Sequence, residues 1–350
     1  WIGTQGDTPY CRQGCANRVY RIRGSVAGEG DIYNMSSATL YGGNLETNLG
    51  AFVASDGDLN GDNRQDLLVS AYDGGNAAYA VTQNIVGGVE LEDVMAARFT
   101  YANAVAHAGD VNGDGFGDVV AGWYIFIGTP PEDSPNVGAT VFLGPTTGEL
   151  TYSNADHLFQ RDPSDEYDYS VFKTHGAGDV NGDGYADVLL GSPNYYSYEK
   201  GKDTSYGRAY LFFGPDFSNN ALNEADVVFN NDEQSKWVGW SLETTDLDRN
   251  GFSDLIIGSP SKLYNEEQAN AFLFYGPIES GQYSMSTADS MFADDSNSQN
   301  YAAYSISARG DNDGDGYYDL MLGEPQCQLI DDDKISSYPG CAHIFYGAPR

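Results

Sequence analysis

Residues 179–191 read DVNGDGYADVLLG, a nine-residue loop with oxygen-bearing side chains at positions one, three, five and nine and an apolar run directly behind it. Four other stretches repeat this loop. The oxygen-bearing side chains of the five loops are Asp58, Asn60, Asp62, Asp66; Asp110, Asn112, Asp114, Asp118; Asp179, Asn181, Asp183, Asp187; Asp246, Asp248, Asn250, Asp254; and Asp311, Asp313, Asp315, Asp319. One such stretch is typical of a solvated turn, whereas five in register indicate a repeated metal-binding loop.

The chemistry of these side chains favours calcium. Ligands that are all oxygen suit a hard cation, and Ca²⁺ accepts looser geometry than Mg²⁺ does. Position six must tolerate a positive φ, and it holds Gly115, Gly184, Gly251, Gly316 or, in the first loop, Asn63. Such a turn lets the backbone carbonyl of position seven act as a further ligand, and these residues are Arg64, Phe116, Tyr185, Phe252 and Tyr317. The sequence therefore predicts about five bound Ca²⁺ ions.

An EF-hand starts with similar spacing, but it requires a bidentate Glu at position twelve and a helix on each side. Position twelve is apolar in this chain: Val69, Ala121, Leu190, Ile257 or Leu322. It belongs to a short apolar run, which predicts a buried strand behind each loop. The EF-hand interpretation is therefore rejected.

The loops start at residues 58, 110, 179, 246 and 311, and a period of this length indicates repeated supersecondary units. Each unit contains short strand-like runs and Gly-rich turns, without a long amphipathic helix. This pattern predicts an all-β fold, a β-propeller of four-stranded antiparallel blades. A linear β-solenoid is the alternative, but its repeats are normally much shorter.

The turn after three of the loops is a further landmark: Gly191-Ser192-Pro193, Gly258-Ser259-Pro260 and Gly323-Glu324-Pro325. With these turns and its aspartate loops, nearly the whole chain resembles the FG-GAP repeats of integrin α-subunit propellers and their bacterial relatives. The resemblance implies that each loop joins the first and second strands of a blade and binds Ca²⁺. Two repeats depart from the pattern, because Ser70-Ala71-Tyr72 and Gly122-Trp123-Tyr124 lack the proline. Asn63 makes the first site the weakest match.

The two ends of the chain align with each other as parts of blades. Residues 1–45 are predicted to be a partial blade without its first strand and calcium loop, and residues 46–350 to hold five calcium-binding blades. Residues 1–350 are therefore expected to be one propeller domain. Six blades is the best count if the ring closes within these residues, and seven, as the integrin resemblance implies, if the parent chain is longer. A start at Trp1 without a signal peptide leads us to expect a processed or trimmed product.

Charge limits the range of partners. The chain has 51 acidic and 17 basic residues, a formal net charge of −34. Such an excess of negative charge excludes nucleic acid as a natural partner. No apolar run is long enough to cross a bilayer, so no transmembrane segment is expected.

The four cysteines form two local pairs in the alignment of the two ends, Cys11 with Cys15 and Cys327 with Cys341. Oxidised pairs and weak calcium modules are both typical of extracellular or periplasmic proteins. We therefore expect a secreted or cell-surface protein. Four free thiols are the alternative, and the lack of a CxxC pair disfavours a zinc site.

The sequence contains no nucleophile elbow, HExxH helix, phosphate loop or Cys/His nucleophile pattern, so a non-catalytic protein is predicted. We expect an adhesion, surface or assembly module that binds another protein or a surface glycan, on its own or within an oligomer. The alternatives are a carbohydrate-binding, lectin-like propeller and the non-catalytic part of a polysaccharide-degrading enzyme. Tyr195, Tyr196, Tyr198 and Tyr206 form a candidate contact loop, although loop packing is the simpler explanation of these side chains.

Overall fold

The computed structural model describes residues 2–4, 18–22, 32–42, 49–71, 77–102, 104–122, 137–160, 173–193, 196–197, 204–205, 207–218, 221–230, 237–260, 269–293, 301–325, 329–331, 334–337 and 340–348. In these ranges the helices are α1 (Ile32–Met35) and four single 3₁₀ turns, Leu91–Asp93, Tyr152–Asn154, Leu222–Glu224 and Met285–Thr287. No helix in the described part of the chain is long and apolar enough to span a membrane.

The strands are short and follow one another at the period of the repeats. In chain order they are β1 (Ile2–Thr4), β2 (Arg18–Arg21), β3 (Ala38–Tyr41), β4 (Leu49–Gly57), β5 (Asp66–Ala71), β6 (Ala77–Val81), β7 (Gly87–Glu90), β8 (Ala97–Thr100), β9 (Ala104–Gly109), β10 (Asp118–Gly122), β11 (Val137–Phe142), β12 (Gly148–Leu150), β13 (His157–Gln160), β14 (Lys173–Gly178), β15 (Asp187–Ser192), β16 (Tyr196–Ser197), β17 (Thr204–Ser205), β18 (Arg208–Phe212), β19 (Val227–Asn230), β20 (Ser241–Thr245), β21 (Asp254–Gly258), β22 (Ala269–Phe274), β23 (Gly281–Ser284), β24 (Ser290–Ala293), β25 (Ser305–Gly310), β26 (Asp319–Glu324), β27 (Leu329–Asp331), β28 (Lys334–Ser337) and β29 (Cys341–Phe345).

Four sheets contain four antiparallel strands each, in the order first, second, third, fourth. They are β4-β5-β6-β8, β9-β10-β11-β13, β14-β15-β18-β19 and β20-β21-β22-β24. The sheet that precedes them contains β1-β2-β3, and the sheet that follows them contains β25-β26-β29. The predicted fold class is confirmed, since this is an all-β chain of antiparallel sheets of the kind that form propeller blades.

An additional, parallel strand covers the outer edge of three sheets, and the sequence did not predict it. β7 pairs with β3, β12 with β8 and β23 with β19, while a single bridge joins Ala221 to Gln160. Each added strand or bridge residue lies between the third and fourth strands of the following sheet. Because an uncovered edge strand exposes unpaired backbone groups, this pairing protects the fourth strands.

The chain divides into two compact units, one of Trp1–Asp110, Asp114–Tyr124 and Ala139–Leu158, the other of Val111–Gly113, Ile125–Gly138 and Phe159–Arg350. In the first unit a core of buried side chains, among them Leu40, Leu67 and Tyr79, lies between the first two sheets. In the second unit the strand behind the fourth loop is buried on both faces. Leu255 and Ile257 pack into one core and Ile256 into another, as the period of two of a strand requires. This burial explains why the apolar runs are continuous.

Candidate metal centres

The five predicted loops all lie between the first and second strands of a sheet, the position that the FG-GAP resemblance implies. They connect β4 to β5, β9 to β10, β14 to β15, β20 to β21 and β25 to β26. We number them one to five in this order.

The aspartate at position one organises each loop by accepting backbone N–H groups. In loop three, one carboxylate oxygen of Asp179 accepts from Gly182 N at 2.6 Å and the other from Gly184 N at 3.0 Å. In the other loops Asp58, Asp110, Asp246 and Asp311 also accept the N–H of position six on one oxygen, while the other oxygen accepts the N–H of position four or five. Position five then accepts the N–H of position seven, as Asp183 does from Tyr185 N at 3.0 Å. These bonds turn the chain around the point where the side-chain oxygens meet.

Two positions in every loop have a positive φ. Position six has φ values from 91° to 93° in the four glycines and 61° in Asn63, as predicted. Position four also has a positive φ, and the sequence interpretation did not single it out. Its residues are Gly61, Gly113, Gly182, Arg249 and Gly314, with φ between 61° and 85°. The signal was present in the sequence, because four of these five residues are glycine.

The aspartate at position nine is buried and is held by backbone donors from two directions. Asp187 accepts Val180 N at 2.8 Å on one oxygen and Gly214 N at 3.0 Å on the other. Asp254 and Asp319 accept the same pair of bonds, Asp66 accepts the first of them and Asp118 the second. The second donor is the glycine two residues after the end of the third strand. Position nine therefore ties the loop to a strand distant in sequence.

Carboxylate oxygens converge most closely in loops four and five. Oxygens of Asp246, Asp248 and Asp254 lie within 4.8 Å of one another, and so do those of Asp311, Asp313 and Asp315. In loops one, two and three, position three is an asparagine, so these loops offer an amide oxygen where the other two offer a carboxylate.

Burial and mutual repulsion raise the pKa of three aspartates at position nine, whereas backbone hydrogen bonds lower the pKa of Asp319. Burial, reinforced by the charges of Asp183 and Asp179, raises the pKa of Asp187 to about 7. The pKa of Asp254 is raised to about 6, again chiefly by burial. Burial also raises the pKa of Asp66. Ionising these carboxylates is less favourable than ionising an exposed aspartate, and a neighbouring positive charge would offset that cost.

The donor set fits a hard divalent cation, because every candidate side-chain ligand is an oxygen. The position-seven carbonyls of Arg64, Phe116, Tyr185, Phe252 and Tyr317 stay predicted ligands.

Cys341 is disulfide-bonded; Cys11, Cys15 and Cys327 lie outside the described residues, so both pairings stay predictions. Of the tyrosine contact loop, only Tyr196 lies within the described residues, in β16.

Comparison with known proteins identifies the repeat. The sequence model of the FG-GAP repeat family matches residues 176–212, which contain loop three and the strands around it. Integrin alpha-5 of Xenopus laevis is 27% identical over 220 residues, covering 59% of this chain and 20% of that protein. Integrin alpha-8 of Homo sapiens is 28% identical over 227 residues, covering 60% of this chain and 19% of that protein.

A second group of relatives carries the name of an enzyme. The phosphatidylinositol-glycan-specific phospholipase D of Dictyostelium discoideum is 25% identical over 281 residues, covering 71% of this chain and 28% of that protein. The chain thus spans between 19% and 28% of the length of these three relatives. Both groups are similar to this chain over more than half of its length, and with the match at residues 176–212 the chain resembles the integrin-like FG-GAP repeat proteins.

Proposed function

We propose that this chain is a calcium-binding extracellular module that stabilises its sheets with about five Ca²⁺ ions and presents its loops to another protein. The observation that carries the proposal is the aspartate loop with its internal hydrogen bonds, which recurs between the first and second strands of five sheets. Asp58, Asn60, Asp62 and Asp66, and their counterparts in the other four loops, would hold the ions. Calcium would supply the positive charge that these clustered carboxylates lack.

Binding would act mainly on stability. A ligand that binds only the folded state adds about 2.7 kcal/mol per site at a hundredfold excess over its dissociation constant. Millimolar calcium outside cells suits weak sites of this modular kind. The similarity to integrin alpha subunits and the bonded state of Cys341 support an extracellular or cell-surface location.

We propose a non-catalytic role, although relatives named as phospholipases align with the same repeats. The clustered carboxylates would be occupied by the cation, and an engaged carboxylate is a poor proton carrier. The part of the chain that the structure describes includes the hydrogen bond between His343 Nε2 and Glu324 Oε2 at 2.7 Å and the contact between His175 and Glu243. Each contact joins side chains of paired or neighbouring strands, so strand packing explains it without a catalytic role.

Calcium binding is tested by the number of Ca²⁺ ions bound per chain. Metal-free protein titrated calorimetrically with Ca²⁺ is expected to bind about five equivalents, and Mg²⁺ is expected to bind more weakly. The double variant Asp246→Asn, Asp254→Asn should lose one equivalent. Asp93→Asn, an exposed aspartate of a 3₁₀ turn, is the matched control and should lose none. Protein that binds no calcium by titration and contains none by elemental analysis would contradict the proposal.

The interaction role requires a separate measurement. We expect immobilised protein to bind cell surfaces in calcium and to release them in EDTA. Protease treatment of the cells should abolish this binding if the partner is a protein. Binding that survives the protease but is lost after removal of surface glycans would favour the lectin-like alternative.

A further inference from the structure

Loops one to four each pack against the loop of the next sheet through a repeated contact. A methyl group added to Gly61 of loop one would lie 2.9 Å from a ring carbon of Phe116, at position seven of loop two. A methyl group added to Gly113 would lie 2.9 Å from the ring of Tyr185 in loop three. One added to Gly182 would overlap the ring of Phe252 in loop four. In these three pairs the aromatic ring at position seven of the next loop thus packs directly on the glycine backbone of position four.

The fourth pair of loops makes this contact with different chemistry. Position four of loop four is Arg249, and its guanidinium lies 4.6 Å from the ring centroid of Tyr317, at position seven of loop five. A cation over an aromatic face is attracted to the ring quadrupole. The aromatic residue at position seven is therefore kept even where the glycine beneath it is not.

The two end loops each lack one half of this contact in the described residues. Position seven of loop one is Arg64, which is not aromatic. At the other end, a methyl group added to Gly314 of loop five would meet no atom of the described residues within 4 Å. The contact between position seven of one loop and position four of the loop before it is therefore described for the four pairs of neighbouring loops.

A backbone hydrogen bond reinforces two of these contacts. Gly117 N of loop two donates to Asp58 O at 2.7 Å, and Ser253 N of loop four donates to Asp179 O at 3.0 Å. The acceptor is in each case the carbonyl of position one, the residue whose carboxylate organises the loop. Loops one and three therefore each receive two restraints from the following loop, one on position four and one on position one.

We propose that the aromatic side chain at position seven is a positioning residue for the cation site of the preceding loop and couples the affinities of neighbouring sites. The proposal rests on the calcium binding proposed above. A ring that is held by its own loaded loop restrains position four of the neighbour, so the neighbour loses less conformational freedom on binding. Coupling of this kind is reciprocal between the two sites.

Loops three and four provide the test, with hydrogen exchange of residues 179–187 and 246–254 measured as free calcium is raised. The midpoint of a loop is the free calcium concentration at which half of its protection from exchange is gained. In Phe252→Ala the midpoint of loop three should rise about tenfold, within the usual range of coupling between sites. The midpoint of loop five, which the ring of Phe252 does not contact, should rise less than that of loop three. Phe252→Tyr keeps the ring and matches the tyrosines of loops three and five, so it should behave as the parent protein.

A second background separates coupling from a local effect. With loop three disabled by Asp183→Ala, adding Phe252→Ala should leave the midpoint of loop four unchanged. If Phe252→Ala weakens loop four equally in both backgrounds and spares loop three, the ring serves its own loop and the proposal is wrong.

Failure of the calcium hypothesis can be told apart from failure of the coupling. If no loop of the parent protein gains protection with calcium, the proposed function fails. Exchange in the metal-free protein then decides the positioning role. Phe252→Ala should accelerate exchange in residues 179–187 at least severalfold, and unchanged exchange there would overturn the proposal.

Discussion

At the scale of single residues, the aspartate at position nine has a structural as well as a chemical task. Asp187 is fully buried and receives one N–H from its own loop and one from Gly214. Asparagine cannot replace it without loss, because its amide nitrogen would face one of these two donors. The residue therefore shapes the loop even before a cation is considered.

The raised pKa of Asp187, about 7, makes the stability of the metal-free protein depend on pH. The folded state binds a proton that the unfolded state has released between pH 4 and 7, so the free energy of unfolding should fall as pH rises through this range. The effect is a few kcal/mol at most, since one pKa unit corresponds to about 1.36 kcal/mol. Calcium needs the carboxylate, so calcium affinity should instead fall as pH drops below 7.

Melting temperatures in EDTA at pH 5.5 and pH 8 measure this dependence. Asp187→Asn should reduce the difference between the two pH values, while Asp93→Asn, at an exposed site, should leave it as it is in the parent protein. An equal pH difference in the parent protein and in Asp187→Asn would show that Asp187 ionises normally.

At the scale of elements, the parallel strands connect each sheet to the one before it. Gly87, Gly148 and Gly281 each begin such a strand with a positive φ, and each donates its N–H to a carbonyl just before the fourth strand of the previous sheet. Beyond the backbone, Glu149 of β12 accepts from Arg98 and Thr100 of β8. These side chains are partly exposed, so most of the effect should come from the backbone bonds.

Two substitutions of Gly148 separate the contribution of its N–H hydrogen bond from the contribution of its positive φ. Gly148→Pro removes the N–H that donates to Ala96 O at 2.9 Å and cannot adopt the φ of 77°, so we expect a loss of more than about 2 kcal/mol. Gly148→Ala keeps the N–H and meets no atom within 4 Å, so it should cost only about 1–2 kcal/mol from the positive φ.

Denaturant unfolding gives these free energies, and hydrogen exchange of Ala97–Thr100 reports on the covered strand β8. Exchange there should accelerate in the proline variant well beyond the alanine variant. Equal exchange in the two variants would mean that β12 adds no protection to β8.

At the scale of the whole molecule, charge and calcium act together. The formal net charge of −34 includes the aspartates of the five loops, and repulsion among them opposes folding when no cation is bound. Salt screens such repulsion over about 10 Å at 0.1 M ionic strength. It cannot replace the specific coordination of an ion within a loop.

Removal of divalent ions should therefore lower the melting temperature, and two additions should restore it to different extents. Sodium chloride at high concentration should recover a minor part through screening, and millimolar calcium should recover the whole. An unchanged melting curve in EDTA would refute the stabilising role. If sodium chloride restored the melting temperature as fully as calcium does, the stabilisation would come from general charge screening and not from calcium bound in the loops.

The sequence by itself determined the features that depend on local spacing. The side chains at positions one and five and the positive φ at position six lie within one nine-residue loop, and the apolar run behind it reports a strand buried on both faces. Such features are visible in one dimension because their partners are a few residues apart. Resemblance to FG-GAP repeats then followed from the same residues.

Only the tertiary structure decided the contacts between distant segments. The bond from Gly214 to Asp187, the parallel pairing of β12 with β8 and the ring of Phe252 on Gly182 join residues that are between 27 and 70 positions apart. Nothing in the spacing of a loop states which later residue will lie against it, because that depends on the path of the chain through the following sheet. The ligands of each loop are therefore local, while their support comes from neighbouring strands and sheets.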